Sequence, residues 1–150
     1  MLSPQALAEA CRDAVLARDH VTRGLGARVL AVGPGTATLA MAVRPDMLNG
    51  HAICHGGVIA TLADSAFALA CNAYNELTVA SGFDIHLLAP AQAGDTLTAV
   101  ASEFHRGGRT GVYDVAVRNQ RDEAVAQFRG RSHTVQGRAL IDGLPVGKPR

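Results

Sequence analysis

The chain has 150 residues, 48% of them hydrophobic and 18% charged, which is enough apolar material for one folded domain over residues 1–150. A net charge of +1 and 4% aromatic residues argue against a nucleic-acid-binding surface and against attraction to an anionic membrane. The three cysteines, Cys11, Cys54 and Cys71, are too few for a disulfide framework and indicate a reducing compartment. Because no apolar signal or membrane-spanning segment is visible either, we expect a cytoplasmic protein with no membrane partner.

The first predicted element is an N-terminal helix within residues 1–23. Ser3 and Pro4 are typical of a helix start, since serine caps the first turn and proline fits the first helical position. Apolar residues then recur at helical spacing until about His20.

Two short strands are predicted next, at 28–32 and 36–43, on either side of a Gly-Pro-Gly turn. A polar loop over 44–54 follows and includes the pair Asn49-Gly50. An Asn-Gly pair is also common in ordinary turns, so its presence alone assigns no function.

A long helix is predicted from residue 56 to about Asn75. It contains no proline and is apolar almost all round, so we expect it to be buried. Its single charged residue is Asp64, and a carboxylate inside such a helix is costly unless it is hydrogen-bonded or has a function. At the helix start, Gly56 and Gly57 leave the backbone N–H groups accessible.

The second half of the chain is rich in strands. Four are predicted, at 78–88, 96–105, 109–119 and 124–135, joined by short turns that favour an antiparallel sheet. The apolar helix needs cover on all sides, and a curved sheet wrapped around it provides that cover. Residues 136–150 are predicted to form a loose tail.

The segments around both ends of this helix resemble the hotdog-fold acyl-CoA thioesterases, and most closely their phenylacetate-degradation branch. The resemblance covers about residues 28–135 and is carried by segments 47–51, 54–57, 62–72, 87–91, 94–97 and 111–114. The sequence His-Gly-Gly followed by Leu-Ala-Asp at this spacing makes it specific. It implies an α+β hotdog fold, with an antiparallel sheet wrapped around one long central helix and an extra N-terminal helix.

The resemblance also implies hydrolysis of an acyl-CoA thioester, with aryl- or arylacetyl-CoA favoured, by a homodimer or dimer of dimers. No metal and no cofactor are implied, because coenzyme A is part of the substrate. By position, Asp64 matches the catalytic acid, Gly56 the amide that polarises the thioester carbonyl, His55 its supporter, and Asn49 a polar loop residue at the site.

The group that holds the attacking water stays open. Some branches of the family place a hydroxyl one turn after the acid, where this chain has Ala68, and others place one at the start of the next strand, where it has Ala80 and Ser81. Asp64 itself can act as a nucleophile on the thioester or as a general base on water.

The spacing of the candidate groups predicts how the chains assemble. Backbone N–H groups at a helix start suit a developing oxyanion, and glycine at 56 and 57 lets a substrate approach them. Gly56 and Asp64 are eight residues apart, which is about 12 Å along a helix, so one thioester cannot touch both within a chain. An antiparallel two-fold dimer would bring Gly56 of one subunit near Asp64 of the other, giving two shared sites.

The phosphates of coenzyme A need cations. Arg106 and Arg109 flank the Gly107-Gly108 turn, and Arg131 shares a strand face with Arg129, so these arginines are candidates for phosphate binding. Solvated arginines at strand ends are the alternative.

The same residues are compatible with other functions. His51, Cys54 and His55 are a possible zinc set without a clustered fourth ligand, and Cys54 beside His55 is a possible thiol nucleophile. A hotdog dehydratase or hydratase would need a His-Asp pair, but His55 and Asp64 are nine residues apart. A regulatory protein that only binds acyl-CoA would have no need of a buried acid at Asp64.

Overall fold

The computed structural model describes residues 2–146, in which a six-stranded antiparallel sheet wraps around one long helix. The helices are α1 (Pro4–Leu16), α2 (His20–Gly24) and α3 (Gly56–Cys71), and the strands are β1 (Arg28–Gly33), β2 (Thr36–Ala42), β3 (Thr78–Leu87), β4 (Thr96–Gly107), β5 (Thr110–Arg118) and β6 (Ala124–Thr134). The strand order is β1-β2-β4-β5-β6-β3, so β1 and β3 are the edges. The predicted α+β hotdog fold is confirmed.

The core lies between α3 and the concave face of the sheet. Phe67 of α3 packs against Tyr113 and Phe128, with ring centroids 5.6 and 5.8 Å apart. A Cβ at Gly130 would lie 2.8 Å from the Phe67 ring, so glycine is required where β6 passes under the helix. This close packing fixes the position of α3 on the sheet.

One stripe of α3 is not covered. Gly57 is exposed, and Ala60, Thr61, Asp64 and Ala68 are half-buried along the same side of the helix. The expectation that the whole helix is buried is therefore wrong for this stripe. The cause is visible in the topology, because the sheet curves around the other sides of α3 and nothing within residues 2–146 covers this one.

The helix also ends four residues earlier than predicted, at Cys71. The Asn72 side chain donates to the carbonyl of Ala68 at 2.9 Å and to that of Thr78 at 3.0 Å, and it accepts from the Thr78 N–H at 3.0 Å. These bonds join the last turn of α3 to the start of β3. The chain therefore turns at Asn72 although no glycine or proline marks the spot.

The single predicted N-terminal helix is two helices. α1 ends at Leu16, and α2 begins after Asp19, whose carboxylate accepts from the Thr22 N–H at 2.9 Å. Such a side-chain cap satisfies a backbone donor that has no partner within the helix. The break in the predicted helix is thus a local effect of Asp19.

The tail is held rather than loose over most of its described length. Asn75 is fully buried, and its amide accepts from the N–H of Ile141 at 2.8 Å and donates to the carbonyl of Leu144 at 3.0 Å. The Leu77 N–H also donates to the carbonyl of Arg138 at 2.8 Å. The prediction of a loose tail is wrong for this part, and residues 147–150 lie outside the described residues.

Candidate active site

The start of α3 presents one unoccupied backbone donor. His55 is the N-cap, and its Nδ1 accepts from the Gly57 N–H at 3.1 Å. The Val58 N–H donates to the His55 carbonyl at 2.9 Å. The N–H of Gly56 has no hydrogen-bond partner among residues 2–146, so it is available to a ligand at the positive end of the helix.

The two glycines differ in what surrounds them. A Cβ at Gly56 would lie 2.6 Å from Cδ1 of Leu87, so a larger residue here would require the exposed Leu87 side chain to move. A Cβ at Gly57 would meet only the His55 ring, at 3.3 Å. Because the Gly57 N–H is already bonded to His55, the structure leaves Gly56 as the free donor and makes Gly57 part of the cap.

A groove of about 380 Å³ opens beside Gly56. Its walls are the loop before α3, the first turn of α3 and the chain that follows β3, with the lining residues Asn49, Ile53, Cys54, Gly56, Ile59, Leu87, Leu88, Ala89 and Pro90. None of them is charged, so the groove suits an apolar acyl group. The sequence predicted Asn49 and Gly56 here. The apolar residues at the end of β3 and just after it were not predicted as site residues. In the structure, Leu87 and Leu88 are more than half exposed, whereas a core strand would bury them.

Asn49 is oriented toward this groove by its own loop. Its Oδ1 accepts from the His51 N–H at 2.9 Å and from the Ile53 N–H at 3.4 Å, while its backbone N–H donates to the Ile53 carbonyl at 2.8 Å. The oxygen side of the amide is thereby used by the backbone. The Nδ2 group has no partner in the described part of the chain and can donate to a ligand.

Asp64 is half-buried on the uncovered stripe of α3, two turns beyond Gly56. Its carboxylate makes no hydrogen bond and no ion pair with any of residues 2–146. Burial raises the pKa of this carboxyl, and the charge of Asp19 raises it further. A carboxylate of this kind is a stronger base than an exposed one and has no structural partner to occupy it.

Two hydroxyl groups that could hold the attacking water already donate to backbone carbonyls. The Ser81 Oγ donates to the carbonyl of Arg131 at 3.2 Å, at a bulge in β3. Thr61, which was not predicted as a site residue, lies one turn before Asp64 on the same stripe, and its hydroxyl donates to the Gly57 carbonyl at 2.7 Å. Ala68, one turn after the acid, offers no hydroxyl.

Arg106 is not an exposed cation. Its guanidinium pairs with Glu76 at 2.7 Å and lies over the Tyr74 ring, 3.8 Å from the centroid. Only 8% of its side chain is exposed. The role of Arg106 in phosphate binding stays a prediction, and its ion pair and ring contact at the end of β4 disfavour that role.

Arg109 and Arg131 are exposed, and their polar contacts lie in solvent rather than being buried like the ion pair of Arg106. Arg109 donates to the side chain of Gln136, and Arg131 pairs with Asp84 at 2.7 Å. Arg109 precedes β5 at the end of the sheet where Thr78 begins β3, whereas Gly56 packs on the other end of β3. Within one chain the two lie roughly 30 Å apart along nine residues of strand, so Arg109 is remote from its own chain's groove.

The loop before α3 also contains one cysteine and two histidines. Cys54 is 3% exposed, and burial raises the pKa of its thiol, which opposes the thiolate that a nucleophile requires. Between Leu2 and Val146, no three His, Cys, Asp or Glu side chains lie close enough together to hold a metal ion. His51, Cys54 and His55 therefore do not gather into a zinc set. Over the same residues, no helix combines the length and apolar character needed to cross a bilayer.

Comparison with known proteins gives concordant results. Residues 51–126 match the model of the thioesterase superfamily. The acyl-coenzyme A thioesterase PaaI of Escherichia coli is 46% identical over 124 residues, which cover 83% of this chain and 89% of that protein. The structure of E. coli PaaI, from the phenylacetic acid degradation operon, superposes with a TM-score of 0.88 at 43% identity and covers 91% of this chain and 99% of the other.

A more distant structure is that of a Streptococcus mutans protein bound to acetyl CoA. It has a TM-score of 0.72 and 28% identity, and it covers 75% of this chain and 90% of the other. The relative and the two solved structures each cover at least 75% of this chain, and the family match over residues 51–126 includes α3.

Proposed function

The chain belongs to the thioesterase superfamily, and we propose that it hydrolyses acyl-CoA thioesters to a free acid and coenzyme A, with aryl- or arylacetyl-CoA favoured. The name of the E. coli relative supports the reaction, and the operon from which that relative comes supports an arylacetyl substrate. The uncharged groove beside Gly56 is compatible with such an acyl group. The observation that carries the proposal is Asp64, a half-buried carboxylate without a partner among the described residues.

In this mechanism the thioester carbonyl accepts a hydrogen bond from the Gly56 N–H. The donor is fixed in place by the capped helix start, so it can stabilise the oxyanion without reorganisation. Asp64 either deprotonates a water that attacks the carbonyl carbon, or attacks that carbon itself to form an acyl-Asp64 anhydride that water then hydrolyses. On both routes the C–S bond breaks, and coenzyme A leaves as a thiolate that takes up a proton. Asn49 donates from its free Nδ2 at the rim of the groove, and His55 keeps the first turn of α3 in order.

We propose that the acid comes from a second copy of the chain. Gly56 and Asp64 are two turns of helix apart, so each site needs Gly56 of one subunit and Asp64 of the other. Two features favour an antiparallel pair. β3 is an edge strand of ten residues with Val79, Phe83 and Leu87 exposed, and the uncovered stripe of α3 consists mainly of small residues.

The same pairing affects where coenzyme A binds. If β3 pairs with β3 of the other subunit around a two-fold axis, the Leu87 end of one strand lies beside the Thr78 end of the other. Arg109 of the second subunit then approaches the groove that its own chain cannot serve. The homodimer, and its pairing into a dimer of dimers, are parts of the proposal, as is a cytoplasmic location that suits three unpaired cysteines.

The test is thiol release from a panel of phenylacetyl-CoA, benzoyl-CoA and straight-chain acyl-CoA. Asp64→Asn should fold normally and lose about 10²–10⁴-fold in kcat, because a general base is removed, and lose more if Asp64 is a nucleophile. Asp13→Asn is the matched control, since Asp13 is an exposed carboxylate on α1. A chelator in the assay should leave the wild-type rate unchanged.

Three outcomes would contradict the proposal. Activity of Asp64→Asn within a few-fold of wild type would remove Asp64 from catalysis. Binding of acyl-CoA with no thiol release by the wild type would favour a regulatory binding protein. Loss of activity with the chelator, restored by zinc, would revive a metal-dependent mechanism.

A further inference from the structure

A chain of side-chain hydrogen bonds links α2 to α3 beside the proposed catalytic acid. Thr22 is only 2% exposed, and its Oγ1 lies 2.6 Å from the Asp19 Oδ2 and 2.8 Å from the Ser65 Oγ. The Thr22 N–H donates to the other carboxylate oxygen of Asp19 at 2.9 Å. Ser65 is buried and directly follows Asp64 in α3.

The chemistry of the three groups determines which oxygen is the donor in each of these hydrogen bonds. An ionised carboxylate only accepts hydrogen bonds, so the Thr22 hydroxyl donates its one proton to Asp19. Ser65 must then donate to Thr22. All three side chains are thereby engaged, and α2 is held against one turn of α3, forty-three residues further along the chain.

The charge of Asp19, at one end of these linked hydrogen bonds, affects the pKa of Asp64. Asp19 is the charged group of another element that raises the pKa of Asp64, after the larger effect of burial. Cys71 of α3 is also coupled to Asp64, but its pKa is raised to about 12, so it is neutral at pH 7. Arg12 and Arg23 line the same groove as Asp19, where Arg12 pairs with Asp13 and Arg23 donates to the carbonyl of Leu16.

We propose that Asp19 and Thr22 are positioning residues for Asp64, which hold the middle of α3 through Ser65 and keep a fixed negative charge beside the acid. The inference rests on the proposed role of Asp64 in thioester hydrolysis. It gives α2 a function beyond covering the core, because both the orientation and the basicity of the acid then depend on this five-residue helix.

The competing explanation is that Asp19 only caps α2. Two substitutions separate the roles. In Asp19→Asn the charge is lost, but asparagine is also a good N-cap and its amide can donate to Thr22 so that the chain of hydrogen bonds persists in reverse. In Thr22→Val the chain is broken while the shape and the charge of Asp19 remain, and Thr22→Ser restores the hydroxyl.

The experiment measures kcat and KM against pH for these variants and follows the Asp64 carboxyl by ¹³C NMR titration. The base must be ionised, so activity falls as the pH drops through the pKa of Asp64. Without the Asp19 charge, the acid limb of kcat/KM and the NMR titration should both move to lower pH by about 0.3–1 unit. Thr22→Val should lower kcat about 3–10-fold with little change in KM, and Thr22→Ser should recover most of it.

Asp122→Asn, which neutralises an exposed carboxylate on the turn between β5 and β6, serves as the control for charge and should move neither curve. The inference is overturned if Asp19→Asn leaves both curves in place, or if Thr22→Val and Thr22→Ser have the same kcat; lower thermal stability alone would then mark a structural cap. If Thr22→Val fails to fold, Asp19→Asn decides. A wild type that releases no thiol, or an active Asp64→Asn, would instead defeat the proposed function, while the NMR titration still tests the effect of Asp19.

Discussion

At the residue scale, Asp64 combines properties that oppose stability and favour reactivity. The acid was predictable because it is the only charge in an otherwise apolar helix. Its half exposure was not predictable, since that depends on which side of α3 the sheet leaves uncovered. The same distinction applies to Arg106, whose pairing with Glu76 joins residues thirty positions apart and leaves no local pattern in the sequence.

The raised pKa of Asp64 predicts that its removal stabilises the fold near neutral pH. The folded chain binds the Asp64 proton more tightly than the unfolded chain does, so ionised Asp64 costs stability above its folded pKa. The cost disappears below the unfolded pKa of about 3.9. Asp64→Asn should therefore melt a few degrees higher than wild type at pH 7 and at the same temperature near pH 3. A lower melting temperature at pH 7 would mean that the carboxylate has a stabilising partner.

Substitutions of the two arginines at the β4–β5 turn should have different effects, one on stability and the other on KM. Arg106→Ala removes a buried ion pair and a ring contact, so it should lower the free energy of unfolding by about 1–3 kcal/mol. Arg109→Ala should leave stability unchanged and raise the KM for acyl-CoA, with kcat nearly intact. A short thioester without the nucleotide should not distinguish Arg109→Ala from wild type, and added salt should shrink the KM effect. An equal loss on both substrates would place the nucleotide elsewhere.

At the scale of elements, the six strands and the start of α3 follow from local patterns. Alternation of apolar and polar residues sets the strands, and Gly or Pro turns separate them. The end of α3 does not follow, because helix-compatible residues continue past Cys71 and a bond from Asn72 to Thr78 stops the helix. Tertiary hydrogen bonds of this kind cannot be deduced from spacing. The break at Asp19 is local, and its Asp-x-x-Thr pattern is a sequence signal for a cap.

The cap of α3 yields a test of what His55 does. We predict that His55 acts through the bond from its Nδ1 to the Gly57 N–H, which holds the first turn and the Gly56 donor in place. His55→Asn keeps an acceptor there and should retain stability and most of kcat. His55→Ala should lose about 0.5–2 kcal/mol of stability, as expected for a lost N-cap, and more of kcat. If both variants are equally inactive, the imidazole itself takes part in the reaction.

At the scale of the whole molecule, the groove and the acid belong to one site only if two chains contribute. Gly56 and Asp64 were both predictable from one sequence. The surface that would join them in the proposed dimer was not, because it consists of the edge strand β3 and the uncovered stripe of α3. In the proposed two-fold dimer, a single subunit therefore carries two half-sites, and the same partner subunit completes both. The proposed arrangement predicts that catalysis depends on assembly, and mixed oligomers can measure that dependence.

The decisive measurement mixes two inactive chains, Asp64→Asn and Gly56→Pro. Proline fits the first helical position and removes the N–H, and Leu87→Ala accompanies it because a Cβ at Gly56 would lie 2.6 Å from Leu87. The matched control is Gly56→Ala with Leu87→Ala, which keeps the N–H. Random mixing by co-refolding makes half of the dimers mixed, each with one intact pair, so about a quarter of the wild-type activity should return, scaled by the activity of the control. Mixed dimers that form, as shown by mass spectrometry of a tagged chain, and yet stay inactive would place both groups of each site in one chain.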